Sequence, residues 1–361
     1  MSVPTDRRPV PRPDIAAMQG YHSPQVDVDV RLNTNESPVA PPESFRRALA
    51  EAVTGIDWNR YPDRGAEGLR TAIGRLHGRP VEQIFAANGS NEVLQSLCLA
   101  YGGHGRTALT FEPTYALHGH IAEVTGTAVV RESRDDAFEL DLATARAAVA
   151  SHRPSLTFLC SPNNPTGVVE SEEVVRGVLD ACADVGSMLV VDEAYGQFAP
   201  WSALDIVDDE LPLVVTRTFS KTWAMAGARL GYMVAPTWVV DEMEKVVLPY
   251  HLDSVTQLAG TLALEHVREM DQRVASLVEE RGRLLAELAD LPVTVWPSGA
   301  NFVLFRPETG DGAEVWADLV ERSVLVRNCA SWPGLDGCLR VTVGTPGEDD
   351  AFLTALREIL T

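Results

Sequence analysis

Apolar and polar residues alternate along most of this chain with two different periods. From about residue 84 to 234, short apolar runs that are typical of buried β-strands alternate with stretches in which apolar residues recur at helical spacing. The clearest predicted strands are 106–111, 156–160, 188–192 and 214–219, and the clearest predicted helices are 115–125, 142–150 and 171–184. This alternation predicts an α/β fold with a mostly parallel sheet that helices cover on both faces.

The last third of the chain has a different pattern. Residues 237–291 read as almost entirely helical, with a break at 248–250. After them, predicted strands at 293–296, 302–305, 324–327 and 339–343 alternate with predicted helices at 313–322 and 349–360. The first forty residues contain few periodic positions. We therefore expect an N-terminal arm (1–40), a large domain (41–250) and a small α+β domain (251–361).

Composition narrows the class of protein. The 361 residues include 51 acidic and 30 basic ones, and this net charge of −21 disfavours nucleic acid and anionic membranes as partners. No apolar run approaches the roughly 20 residues that span a bilayer. The five cysteines lie mostly in apolar runs without a CxxC pair, so we expect reduced core residues in a cytoplasmic protein and no metal site. Anionic substrates would need a local cationic pocket.

One lysine is a candidate for covalent chemistry. Lys221 lies among small and hydroxylated residues in the connection between two predicted strands, 213–219 and 230–234, and loops at strand ends often carry catalytic groups. Its amine is nucleophilic only if burial or a neighbouring cation lowers its pKa from about 10.4. Arg229 is a candidate for that cation, or for binding a phosphate. The alternative is an ordinary solvated lysine at the surface.

A second strand end carries a candidate anion site. In the loop 87–92, Gly89 permits a tight turn and Ser90 begins a predicted helix whose free amides face outward. Such a helix end binds phosphate readily, although the same residues also make an ordinary helix cap.

Two further strand ends carry polar side chains. The motif SPNNPTG at 161–167 follows a strand directly and brings Asn163 and Asn164 to the carboxyl edge of the sheet, where ligands bind in open α/β folds. Asp192 ends a nearly uniform apolar run, so we expect its carboxylate to be poorly solvated and to need a cationic partner. The alternative is that Asp192 caps the following turn.

Together these segments resemble the fold-type I pyridoxal-5′-phosphate enzymes, and within them the class I/II aminotransferases, from about Arg31 to Ile359. The resemblance implies a seven-stranded sheet, a cofactor bound covalently to Lys221, and Asp192 paired with the cofactor's pyridine nitrogen. Lys221 would then move a proton as general base and acid. It also implies Asn164 and Tyr195 at the phenolic oxygen, Tyr115 stacked on the ring, and Ser90, Asn91, Thr218, Ser220 and Arg229 at the phosphate.

Four segments resemble the histidinol-phosphate aminotransferases in particular. They are RLNTNESP at 31–38, NRYPD at 59–63, LPYHL at 248–252 and CLRVTVGT at 338–345. The resemblance implies amino transfer between L-histidinol phosphate and 2-oxoglutarate in histidine biosynthesis. Arg340 would bind the glutamate carboxylate or, with Arg327, the substrate phosphate, and Asn35 would lie at the substrate. Tyr61 would reach the cofactor phosphate of a neighbouring subunit and Tyr21 would cover the substrate phosphate, which requires a homodimer.

The chain departs from this pattern at a few positions. Ser37 stands where the family commonly has Asn, and Ala228 where it commonly has Leu. Candidates for lining the substrate pocket are Trp223, Trp332 and residues 328–337. Three hypotheses about the reaction therefore remain open. They are the histidinol-phosphate enzyme, an aminotransferase for phenylalanine or tyrosine, and a threonine-phosphate decarboxylase. A cofactor-binding regulator would need a DNA-binding module that this acidic chain does not offer.

Overall fold

The structure is a computed structural model that describes residues 9–18, 20 and 26–360. Its helices are α1 (Pro13–Ala17), α2 (Glu43–Val53), α3 (Glu67–His77), α4 (Gly89–Tyr101), α5 (Leu117–Val124), α6 (Leu142–His152), α7 (Glu172–Val185), α8 (Thr237–Val246), α9 (Ser254–Ala263), α10 (Val267–Ala289), α11 (Gly312–Glu321) and α12 (Pro346–Leu360). Its strands are β1 (Val30–Arg31), β2 (Ile84–Ala87), β3 (Thr107–Glu112), β4 (Ala128–Ser133), β5 (Leu156–Cys160), β6 (Met188–Asp192), β7 (Leu213–Thr218), β8 (Gly231–Val234), β9 (Val293–Val295), β10 (Phe302–Pro307), β11 (Val324–Leu325), β12 (Arg327–Asn328) and β13 (Leu339–Thr342).

The central sheet has seven strands in the order β2-β8-β7-β6-β5-β3-β4. Strand β8 runs antiparallel to both of its neighbours, and the other pairings in this sheet are parallel. Every residue of β5, β6 and β7 is buried, which is why β6, most of β5 and the first half of β7 are continuous apolar runs rather than alternating ones. The predicted mostly parallel seven-stranded sheet is confirmed.

Helices cover both faces of this sheet. Because side chains alternate along a strand, Leu189 and Val191 of β6 pack into one hydrophobic cluster and Val190 packs into another. The first cluster joins the sheet to α2, α3, α6, α7 and α9, and the second joins it to α4, α5 and α8. Helix α7 begins where the sequence predicts, since the Ser171 hydroxyl accepts a hydrogen bond from the backbone amide of Val174.

The second sheet is antiparallel, with the strand order β12-β13-β10-β9. A third hydrophobic cluster packs it against α10, α11 and α12. The single strand predicted at 324–327 is two short strands, because β11 pairs with β1 near the N-terminus whereas β12 pairs with β13. Between them, the Val326 carbonyl accepts a hydrogen bond from the indole of Trp316.

Helix α10 connects the two hydrophobic regions. Met270, in its first half, packs in the cluster of the large sheet, whereas Leu277 and Leu284 pack in the cluster of the small sheet. Helix α9 also packs on the large side, through Ala259 and Ala263. The predicted break at 248–250 falls between α8 and α9. The domain boundary after residue 250 stays a prediction, and the packing passes from one region to the other within α10.

All five cysteines are buried and unpaired. Burial raises the pKa of the Cys329 and Cys338 thiols to about 11, so both stay neutral and act as small apolar groups. In the described part of the chain, no helix is both long enough and apolar enough to cross a bilayer.

Candidate active site

The carboxyl ends of β5, β6 and β7 face a cavity of about 370 Å³ that also contacts the small sheet and the start of α4. Most of the predicted site residues line it. They are Asn35, Ser90, Asn91, Tyr115, Asn164, Asp192, Tyr195, Thr218, Ser220, Lys221, Arg229, Arg327 and Arg340. The cavity therefore brings together residues that follow β2, β5, β6 and β7, the strand ends at which the sequence predicts functional side chains.

Lys221 follows β7 in a loop that is closed by a hydrogen bond from the Phe219 amide to the Leu230 carbonyl. Its Nζ donates to the Thr34 carbonyl oxygen at 3.0 Å and lies 5.6 Å from the centre of the Tyr195 ring. Burial, followed by the positive charge of Arg340, lowers the pKa of this amine from 10.5 to about 7. A large fraction of the amine is therefore unprotonated and nucleophilic at neutral pH.

Asp192 is 1% exposed at the end of β6. Its Oδ1 accepts hydrogen bonds from the Ala194 amide at 3.1 Å and the Thr216 hydroxyl at 3.2 Å. Its Oδ2 lies 2.9 Å from Nε2 of His118, which is fully buried and stacks on Phe158. The described partner of Asp192 is thus a histidine, and the turn-capping alternative is also partly right, since the carboxylate accepts a hydrogen bond from the amide two residues on.

A group of hydrogen-bond donors suited to an anion lies at the start of α4. The Arg229 Nη1 donates to the Ser220 hydroxyl at 3.3 Å, and the Thr218 hydroxyl donates to the same oxygen at 3.0 Å. Gly89 has a φ of +77°, and a Cβ there would lie 2.8 Å from Arg229 Nη2. The absence of a side chain therefore lets the guanidinium approach Ser90 and the free amides at the helix start, an arrangement that binds phosphate.

Two arginines of the small sheet line the cavity. Arg327 of β12 and Arg340 of β13 occupy paired positions across the antiparallel strands, where like charges repel. Arg340 is 5% exposed, and its Nη2 donates to the Asn33 carbonyl at 3.0 Å while its Nη1 donates to Asn164 Oδ1. Its Nε is buried and has no hydrogen-bond partner among the described residues. An anion bound by both guanidinium groups would offset the repulsion between their charges and would give the Arg340 Nε a hydrogen-bond acceptor.

The segment that precedes α2 forms part of the wall. Asn35 has a left-handed backbone with a φ of 55°, and its Nδ2 donates to the Tyr195 hydroxyl at 2.9 Å. Burial raises the pKa of Tyr195 to about 12, so this phenol stays protonated. The Tyr115 hydroxyl donates to Asn91 Oδ1 at 3.2 Å, which links the wall of the cavity to the start of α4.

Known proteins with the same sequence pattern decide the family. The family described as "Aminotransferase class I and II" matches residues 27–356. This chain belongs to that family. Its members depend on pyridoxal phosphate, and the resemblance seen in the sequence motifs is confirmed.

Individual relatives of this aminotransferase match it over nearly its whole length. A histidinol-phosphate aminotransferase of Frankia casuarinae is 46% identical over 97% of this chain and 90% of its own. One of Streptomyces avermitilis is 45% identical over 99% of this chain and 98% of its own. In fold, the chain is similar to a histidinol-phosphate aminotransferase from Sinorhizobium meliloti in complex with pyridoxal-5′-phosphate, with a TM-score of 0.87, 24% identity and 96% of each chain covered.

Three further residues are predicted to lie at the site. Two of them lie away from the cavity, and one is outside the described residues. Tyr61 is 80% exposed and stacks on Tyr250 at 4.5 Å, away from the cavity of its own chain. Tyr21 is outside the described residues. The expectation that Trp223 lines the pocket is wrong, because its ring is buried and stacks on Phe219 within the core of the large sheet. Trp332 does line the cavity of this aminotransferase, and its indole donates to the Thr114 carbonyl at 3.0 Å.

His118 is a residue of the site that the sequence pattern does not indicate. Its one signal is its spacing: His118 follows Tyr115 by three residues, which is close to one helical turn, and the two rings meet edge to face at 5.4 Å. Its partner Asp192 is 74 residues away, so no local pattern indicates the pairing.

Proposed function

We propose that this aminotransferase transfers the amino group of L-histidinol phosphate to 2-oxoglutarate, giving imidazole acetol phosphate and L-glutamate in histidine biosynthesis. The observation that carries the proposal is the cross-strand pair of Arg327 and Arg340, in which the buried Nε of Arg340 has no hydrogen-bond partner among residues 9–18, 20 and 26–360. A guanidinium fork binds a phosphate or a carboxylate equally well, so one anion site serves both substrates. The names of the relatives at 45–46% identity support the same assignment.

The cavity fits the cofactor that the family uses. It has an anion-binding group at the start of α4, a buried carboxylate at the end of β6, and a reactive amine between them. We propose that Lys221 holds the aldehyde carbon, that Asp192 binds the pyridine nitrogen, and that Tyr115 lies against the ring. Asn164 and Tyr195 would bind the phenolic oxygen, and the phosphate would be held by Ser90, Asn91, Thr218, Ser220 and Arg229.

Lys221 also has the proton affinity that the transfer needs. Pyridoxal phosphate supplies an electron sink for the pair of electrons left at the substrate α-carbon. Once the amine of the substrate has displaced it from the cofactor, the Lys221 amine, with a pKa of about 7, would take the proton from the substrate α-carbon as a general base and deliver it to C4′ of the cofactor as a general acid. The Thr34 carbonyl and the Tyr195 ring hold the amine at the cavity.

We further propose a cytoplasmic homodimer with shared sites. The exposed ring of Tyr61 would reach the partner's cofactor phosphate, and Tyr21 would cover the partner's substrate phosphate. Mixing a Lys221→Ala variant with a Tyr61→Ala variant tests this, because each hybrid dimer would contain one site without either substitution. Activity that exceeds the sum of the two separate variants supports shared sites, and activity equal to that sum contradicts them.

A panel of amino donors with 2-oxoglutarate as acceptor tests the proposed reaction. We expect kcat/KM for L-histidinol phosphate to exceed that for L-phenylalanine, and we expect no carbon dioxide from threonine phosphate. The second candidate is an aromatic amino acid aminotransferase, which Trp332 at the cavity wall favours. A preference for phenylalanine would establish it and overturn the proposal.

Borohydride reduction of the holoenzyme tests the role of Lys221. The chain has two lysines, and the other, Lys245, is exposed in an ion pair with Glu242. Peptide mass analysis therefore distinguishes the two sites directly. We expect the pyridoxyl group on Lys221, and its absence there would contradict the assignment.

A further inference from the structure

The cavity contains a carboxylate that the proposed reaction does not use. Of the acidic residues in the described part of the chain, Asp192 and Glu36 line it. Asp192 is already bonded to His118, but no described cation lies within ion-pair distance of Glu36. The Glu36 Oε2 accepts a hydrogen bond from the Thr34 hydroxyl at 2.9 Å, and the side chain is otherwise exposed at the rim. It therefore has acceptor capacity left for a ligand.

The backbone beside Glu36 is held from several directions. The amide of Asn35 donates to the Thr342 hydroxyl at 3.0 Å, and its carbonyl accepts from Asn301 Nδ2 at 3.3 Å. The Asn35 side chain donates a hydrogen bond to the Tyr195 hydroxyl, and the Thr34 carbonyl accepts one from the Lys221 amine. Contacts from both sheets thus hold the backbone that precedes Glu36, and the charge of Glu36 acts on the reactive amine, since it raises the pKa of Lys221.

The charges of the cavity leave one substrate group without a counterpart. Among the described residues, four basic side chains line it, namely Lys221, Arg229, Arg327 and Arg340, and the three arginines suit the cofactor phosphate and the substrate phosphate. The imidazole ring of histidinol phosphate is different, because it donates through N–H and gains a positive charge near its reference pKa of about 6.5. The arginines cannot accept a hydrogen bond from it, and Lys221 is engaged with the cofactor in the proposed reaction.

We propose that Glu36 is a specificity-determining residue whose carboxylate accepts a hydrogen bond from the imidazole ring of the amino donor. This inference rests on the proposed function. The same carboxylate repels the dianion 2-oxoglutarate, and an apolar ring such as that of phenylalanine gains nothing from it. Glu36 therefore separates donors that carry a hydrogen-bonding cationic ring from those that do not.

The substitution Glu36→Gln tests this in the holoenzyme, with Glu36→Asp as the conservative variant. Glu51→Gln, on the exposed face of α2, is the matched control. Because the charge of Glu36 raises the pKa of Lys221, its removal affects catalysis with every donor. The deciding quantity is therefore the ratio of kcat/KM for histidinol phosphate to that for phenylalanine.

We expect Glu36→Gln to lower this ratio about tenfold, mainly through a higher KM for histidinol phosphate. Glu36→Asp should retain part of the preference and Glu51→Gln all of it. In the unmodified enzyme, KM for histidinol phosphate should rise as the pH increases through the titration of the imidazole, and Glu36→Gln should flatten that rise. An equal loss with both donors, or an unchanged ratio, overturns the inference. A preference of the unmodified enzyme for phenylalanine would instead overturn the proposed function.

Discussion

His118 Nε2 lies 2.9 Å from Asp192 Oδ2 at a place that solvent does not reach. The Asp192 carboxylate thus has hydrogen bonds on both oxygens, from helix α5 on one side and from the Ala194 amide and the Thr216 hydroxyl of the neighbouring strand β7 on the other. A buried carboxylate that loses a donor keeps its desolvation penalty, so the pair should stabilise both the fold and the site.

We predict that His118→Phe destabilises the protein and weakens cofactor binding. A phenyl ring can keep the stacking on Phe158 but cannot donate to Asp192, and an unsatisfied buried acceptor costs about 1–3 kcal/mol. The control is His120→Phe, on the same helix but partly exposed. Urea unfolding of the apo-protein and titration with pyridoxal phosphate would measure the two effects. Equal stability and affinity in both variants would contradict the prediction.

We predict that Arg340→Lys raises KM for both histidinol phosphate and 2-oxoglutarate, by about tenfold or more. A lysine ammonium cannot keep the bonds to Asn33 and Asn164 and also present a fork to the substrate. Steady-state kinetics with each substrate varied in turn checks this. Arg306→Lys, an exposed position on the neighbouring strand β10, should leave both KM values unchanged. An effect on one substrate alone would mean that the two anions bind at different places.

The polar residues at the strand ends of this site could be predicted because they interrupt apolar runs. A strand buried on both faces has almost no polar residues, so Asp192 and the asparagines after β5 stand out from the sequence itself. The sequence pattern gives no such signal for a functional side chain on a buried helix face. His118 lies on a helix face that periodicity marks only as buried, and its partner is distant in the chain.

Trp223 shows the opposite error. The sequence makes Trp223 a candidate for lining the substrate pocket, and it follows Lys221 by two residues. The chain turns after Lys221, with the Ala224 amide bonded to the Lys221 carbonyl, and the indole packs on Phe219 instead. The direction of a side chain in a loop depends on dihedral angles that sequence spacing does not determine.

We predict that capture of pyridoxal phosphate by the apo-protein becomes faster as the pH rises through about 7 and then levels off. The reacting form is the free amine, and burial lowers the pKa of Lys221 to about 7, far below that of an exposed lysine. Stopped-flow absorbance with borohydride trapping measures the rate, and Lys221→Met is the control without the amine. A rate that continues to rise up to about pH 10 would assign the reaction to an ordinary lysine.

The same pKa predicts a slope in stability. Between pH about 7 and 10.4 the unfolded chain keeps the lysine proton while the folded chain has released it, so the free energy of unfolding of the apo-protein should rise with pH in that window. Below pH 7 both states bind the proton and this contribution no longer changes. Denaturant unfolding of the unmodified chain and of Lys221→Met at several pH values isolates the slope as their difference, and a constant difference would contradict it.

We predict that Gly89→Ala weakens binding of the cofactor phosphate more than an alanine does at a glycine position that has room for a Cβ. The φ of +77° is unfavourable for alanine, and the added Cβ would lie 2.8 Å from Arg229 Nη2, so the guanidinium must move away from the start of α4. The control is Gly68→Ala in α3, where a Cβ meets nothing within 4 Å and alanine favours the helix. Equilibrium titration with pyridoxal phosphate should give a raised Kd for Gly89→Ala alone. Inorganic phosphate should compete less well for that variant than for the control, because the lost contact is with the phosphate and not with the ring. Equal Kd values in the two variants would show that Arg229 does not hold the phosphate.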